Sequence, residues 1–199
     1  MNFLKALFLF CLLTLPTRTL AVPTVQPSEQ VRKVIGEVEA AVKANNGNLE
    51  DPNLDKQLKD MLRPMFNFDE MSRRCLGQYW KKATPAEQTE FVELFSELLA
   101  RTYLNRIKKN VETSQIKSLK EEIDGDKALV KSRMIVAGDE IGIDYRMLSS
   151  TDDRWKVYDI VVENVGLVTN YRNEFPEIIK KDGFPGLLKK LKEKQGVGK

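Results

Sequence analysis

Two side chains in this 199-residue sequence invite a chemical reading, Cys75 and Asp159. Cys75 follows Arg73 and Arg74, and cations beside a thiol favour the thiolate. A thiolate nucleophile also needs a base, and the chain contains no histidine. That absence removes Ser-His-Asp and Cys-His pairs, histidine-ligated zinc and a histidine pH switch. A buried structural thiol is the plainer reading of Cys75. Asp159 stands mid-strand in WKVYDIV, and simple alternation puts it on the face of Trp155 and Val157. A carboxylate on an interior face needs partners or a raised pKa. It would act as the base of a small cone-shaped isomerase, or as a structural group bonded to backbone or to an arginine such as Arg172. The sequence has no Gly-rich phosphate loop and no paired-cysteine metal site. Its 32 basic and 29 acidic residues nearly balance, which argues against nucleic acid as a partner.

The elements that must position these groups fall into three blocks. Helical spacing of Val31, Val34, Ile35, Val38, Ala41 and Val42 predicts a first helix, with Ser28 as N-cap and a stop at Asn45-Asn46-Gly47. A second helix is expected over 52–62, ended by Pro64, and a short third one from Phe66 to about Gly77. Thr84-Pro85-Ala86-Glu87 reads as a capping box with proline in the first turn, opening a long helix to about Val111. After Ser114 the period changes to two. Four strands are expected at 115–123, 127–137, 140–149 and 154–163, with turns at Asp124-Gly125-Asp126, Gly138-Asp139 and Thr151-Asp152-Asp153. Such short connections make neighbours antiparallel. Asn164-Val165-Gly166 ends the sheet, and helices return at 169–181 and 185–194 around Asp182-Gly183. The predicted fold is α+β: a curved four-stranded antiparallel sheet with helices before and after it.

Phe91, Phe95 and Tyr103 of the long helix would face Ile143, Tyr145 and Met147 of the sheet. Such faces either hold a slot open or fill an ordinary core; periodicity does not measure volume. The lysine-rich stretch 180–199 reads as a solvated face or as a weak dock for an acidic protein or anionic headgroups.

Residues 1–21 look like an address. Lys5 precedes the apolar run ALFLFCLLTL, and Thr19-Leu20-Ala21 ends in a small residue, the layout of a secretory signal peptide cleaved after Ala21. The run is short of the ~20 residues of a spanning helix. Phe10 before Cys11 does not suit a lipoprotein site. Removal of 1–21 leaves Cys75 as the one cysteine, so the expected single domain, 22–199, rests on its core without a disulfide.

Three segments together resemble the MlaC family of periplasmic phospholipid-binding proteins, also called toluene-tolerance auxiliary proteins. They are FDEMSRRCLGQYWKKATPAEQTEFVELFSELLARTYLNRI from Phe68, WKVYDIVVENVGLVTNYRNEF from Trp155 and KDGFPGLLKKL from Lys181. The resemblance spans nearly the whole chain after residue 21. One departure is Asn164-Val165-Gly166-Leu167 where the family commonly has Gly-Val-Ser-Leu. Asn164 can replace glycine in a left-handed turn, whereas Gly166 loses any hydrogen bond the serine makes.

The resemblance implies a periplasmic carrier without enzymatic activity or cofactor, with phospholipid as its cargo in an apolar pocket. It implies transfer between an inner-membrane ABC transporter with an MCE-domain subunit and an outer-membrane lipoprotein–porin complex, maintaining outer-membrane lipid asymmetry. The expected lining is Phe91, Phe95, Leu98 and Tyr103 from the long helix, and Ile143, Tyr145, Met147, Trp155 and Val157 from the sheet. Phe68, Met71 and Trp80 are expected to close one end. A charge at Leu98 or Met147 should then expel lipid without unfolding the chain. An interaction module with a filled core, or an enzyme using Asp159, are the alternatives.

Overall fold

The helical block begins with α1 (Pro27–Ala44), α2 (Pro52–Leu62) and α3 (Phe68–Leu76), followed by the 26-residue α4 (Pro85–Asn110). These come from a computed structural model that describes residues 22–195; the expected signal segment lies outside them. Local chemistry starts each helix. Asp51 accepts from the Asn53 amide at 2.9 Å, Asn67 accepts from the Glu70 amide at 3.0 Å, and Thr84 and Glu87 form the reciprocal capping box. Ser28 does not cap α1. Gln26 holds the N-cap position, and the Ser28 amide donates instead to Glu121 on the first strand at 2.8 Å.

The sheet is an antiparallel meander in chain order: β1 (Gln115–Asp124), β2 (Lys127–Val136), β3 (Asp139–Ser149), β4 (Trp155–Val162) and β5 (Val165–Gly166). The fifth, two-residue strand was not expected from the sequence. It exists because Glu163 and Asn164 both take positive φ, 46° and 65°, and fold the chain back on itself. Asn164 thus occupies the left-handed position proposed for it. The final helix, α5 (Leu167–Lys194), starts two residues earlier than predicted and is broken at Gly183, whose φ of 72° and ψ of 176° are not helical.

One irregularity changes the reading of Asp159. Trp155 and Val157 pair with Ser149 and Met147, but a register shift at this point pairs Asp159 with Arg146. The extra residue takes Asp159 out of alternation with Trp155 and Val157 and returns Ile160 and Val162 to the register of Tyr145 and Ile143. Strict period-two counting cannot see such a bulge.

The interior divides into three clusters. α3, α4 and α5 enclose Met71, Phe91, Phe95, Leu98, Tyr171 and Phe175. Under α1, the near end of the sheet buries Val130, Met147, Trp155 and Val157. α1, α2 and the C-terminal half of α4 share Val38, Leu54, Leu58 and Leu104.

Candidate functional site

Between these clusters the packing leaves a cavity of ≈ 290 Å³. One wall is the sheet, through Ile143, Ile160 and Val162, with Leu167 at the start of α5. The facing wall is α4 at Leu99, Ala100, Tyr103, Leu104 and Ile107, whose three- and four-residue spacings make one helical stripe. α2 contributes Leu62, and the linker after it supplies Phe66 beside Phe68 and Met71 of α3. Phe66 is held in place by backbone bonds: it bridges to Val157, and the Asn67 amide donates to the Val157 carbonyl at 2.8 Å. Phe66 and Phe68 stack with centroids 5.4 Å apart and form the end of the cavity. The polar lining includes Ser96, Glu97 and Arg106 of α4, Lys59 of α2 and Arg63, the first residue after α2.

Of the twelve residues expected to line a pocket, Phe68, Met71, Tyr103 and Ile143 border this cavity. The other eight do not. Phe91, Phe95 and Leu98 are turned to α5, where Phe91 and Phe95 meet the edge of Phe175 at 5.5 and 5.7 Å, and Trp80 packs against the same cluster. Tyr145, Met147, Trp155 and Val157 lie where α1 covers the sheet. Trp155 is an anchor there: its indole donates to the Val25 carbonyl at 3.1 Å, and its backbone amide and carbonyl bond the Gln30 side chain at 3.0 and 2.5 Å. Leu99, Leu104, Ile107, Ile160 and Val162 were not among the expected lining, although Leu99 and Ile107 continue the i, i+4 row of Phe91, Phe95 and Tyr103 on α4.

The two candidate chemical groups are both engaged in structure. Asp159 is 3% exposed. Its carboxylate accepts from the Val168 amide in the first turn of α5 and from Arg146, both at 3.0 Å. It therefore caps a helix whose own N-cap residue, Gly166, has no side chain to do so. The arginine is Arg146 rather than Arg172. A Cβ on Gly166 would lie 3.4 Å from Asp159 Oδ2, so a serine at that position would stand beside this carboxylate. Cys75 is fully buried and its thiol donates to the Val168 carbonyl at 3.7 Å. Burial, reinforced by the Asp159 charge and partly offset by Arg172, pushes the thiol up to about 12. At about pH 8 roughly one thiol in ten thousand is then ionised. Cys75 should resist thiol reagents in the folded protein and label at once in denaturant; equal rates in both states would contradict this burial.

The motifs that carried the resemblance meet in space. Glu70 holds Arg73 and Arg74 at 2.6 Å, and the Arg73 hydrogen bond leads in keeping the Glu70 carboxyl below its ordinary range. Arg74 also lies 4.2 Å over the ring of Tyr158, the residue at the bulge. Gly77, at φ 54°, ends α3 under the guanidinium of Arg172, which a Cβ would touch at 3.7 Å. These residues join α3 to β4 and α5, away from the cavity lining.

Comparison with known proteins bears on what the cavity holds. A family model described as MlaC protein matches residues 32–193. The intermembrane phospholipid transport system binding protein MlaC of Haemophilus influenzae is 25% identical over 188 residues, which is 90% of this chain and 86% of that protein. The structure of a phospholipid-binding protein from Ralstonia solanacearum, solved in complex with a phospholipid, matches with a TM-score of 0.75 and 28% identity, over 88% of this chain and 100% of that one.

Proposed function

The chain belongs to the MlaC protein family, and from that premise we propose that it is a phospholipid carrier that takes acyl chains into the cavity between α4 and the sheet. The observation that carries this reading is the cavity itself, apolar on the sheet side, with charge confined to α4, α2 and the residue just after α2. The phospholipid held by the Ralstonia protein supports the same cargo.

The physical task is to keep chains out of water. Two acyl chains of common length hold about 30 methylenes, worth on the order of 24 kcal/mol at ~0.8 each. Apolar contact suffices to bind them, since chains offer nothing to hydrogen-bond. In this reading the helical wall moves away from the sheet as chains enter and returns as they leave. A passive carrier equilibrates the sites it visits, so direction comes from its partners.

In this reading residues 1–21 are removed on export and 22–199 act in the periplasm as one domain. The carrier moves lipid between an inner-membrane ABC transporter with an MCE-domain subunit and an outer-membrane lipoprotein–porin complex. It performs no covalent step, in keeping with a buried Asp159 committed to Val168 and Arg146. Native mass spectrometry of the purified 22–199 chain, with extraction of what it carries, tests the proposal. A stoichiometric phospholipid adduct is expected. A bare protein mass that stays unchanged after incubation with phospholipid vesicles would overturn it in favour of a filled-core interaction module.

A further inference from the structure

The charged residues of the cavity are unevenly placed. Ile143, Ile160 and Val162 of the sheet wall are uncharged, while Lys59 stands on α2, Arg63 just after it, and Glu97 and Arg106 on α4, three cations against one carboxylate. They are part of the cavity-facing stripes: Lys59 precedes Leu62 by three positions, and Arg106 follows Tyr103 by three. Lys59 and Arg63 are already engaged. Lys59 donates to Glu97 at 2.7 and 2.9 Å, and Arg63 bonds Glu93 at 2.5 Å and Ser96 at 3.3 Å. Glu97 is shared with Arg101 at 3.1 Å, which uses up its charge. Among the described residues no carboxylate forms an ion pair with Arg106, although it is exposed and borders the cavity. Glu163, in the turn between β4 and β5, accepts from the Gly142 amide.

We propose that Arg106 is a headgroup site that receives the lipid phosphate and favours phospholipids of net negative headgroup over zwitterionic ones. This rests on the carrier reading above. The tails bind through apolar contact and carry no information, so discrimination falls to the charges at the rim. An exposed guanidinium facing a phosphate gives a bidentate, charge-assisted pair. A zwitterionic headgroup brings its own ammonium beside the same guanidinium, and among the described residues no carboxylate is paired with Arg106 to receive it. For an exposed group the difference is modest, roughly two- to five-fold in binding, and it shrinks as salt screens it.

The test loads the intact 22–199 protein from vesicles of phosphatidylglycerol and phosphatidylethanolamine, equimolar and with identical chains, and reads the bound ratio by native mass spectrometry. The wild type should be enriched in phosphatidylglycerol by about two- to five-fold. Arg106→Gln should bring the ratio to about one, and Arg106→Lys should keep most of the preference. Inorganic phosphate at matched ionic strength should leave the ratio unchanged; selective release of phosphatidylglycerol would mean a free-anion site and overturn the proposal. So would a wild-type ratio of one, or a preference that Arg106→Gln leaves intact. In those cases the carrier reading still stands, because lipid is bound. A protein that takes up neither lipid overturns both.

Discussion

Ile143→Asp should strip the purified protein of phospholipid while leaving it folded. Ile143 borders the cavity and belongs to none of the three packed clusters. With the cavity empty, water can solvate the new carboxylate. When chains enter they expel that water, and an unpaired charge against methylenes costs several kcal/mol. Each 1.4 kcal/mol is tenfold in affinity, so lipid occupancy should fall by at least about a hundredfold. Ala100→Trp tests the same wall by volume rather than charge: an indole grown from α4 toward Ile143 occupies the space that chains need. Both variants should keep a cooperative thermal transition near the wild-type temperature. Full lipid occupancy in either would move the cargo elsewhere in the fold. The contrast is a charge at Met147, which is fully buried beside Trp155. There the sequence alone suggests lipid loss without unfolding, whereas the packing predicts a chain that fails to fold.

Asp159→Ala should be among the most destabilising single changes outside the apolar core. It removes the acceptor of the Val168 amide, so the first turn of α5 loses its cap inside the protein, and it deprives Arg146 of its partner. An orphaned buried amide costs about 1–3 kcal/mol. The ion pair adds less, because the Arg146 side chain is 48% exposed and water can replace the carboxylate. A total of about 2–4 kcal/mol corresponds to a fall in Tm of roughly 4–16 °C for a chain of this size. Asp159→Asn keeps one acceptor and should cost less than half as much. If the alanine variant melts with the wild type, the capping role is refuted. Gly166→Ser on the alanine background should recover part of the loss, since a serine at the N-cap restores an acceptor for the first turn of α5.

The elements of this protein were legible in the sequence because they are set locally. The capping box at Thr84, the positive-φ turn at Asn164 and the break at Gly183 each depend on a few adjacent residues. The change of period at Ser114 marked the start of the sheet within one residue. The fifth strand escaped because two residues make no pattern, and the displacement of Asp159 escaped because a bulge follows from pairing with β3, not from β4 alone.

The site was legible only in part, for a related reason. α4 is apolar around much more than one face and serves two neighbours: Phe91 and Phe95 turn to α5, while Leu99, Tyr103 and Ile107 turn to the cavity. β3 is divided along its length in the same way, with Met147 under α1 and Ile143 at the cavity. Spacing shows that these side chains are buried. Which of them meet a neighbour, and which border an unfilled space, depends on where α1 and α5 come to rest, and long-range packing alone decides that.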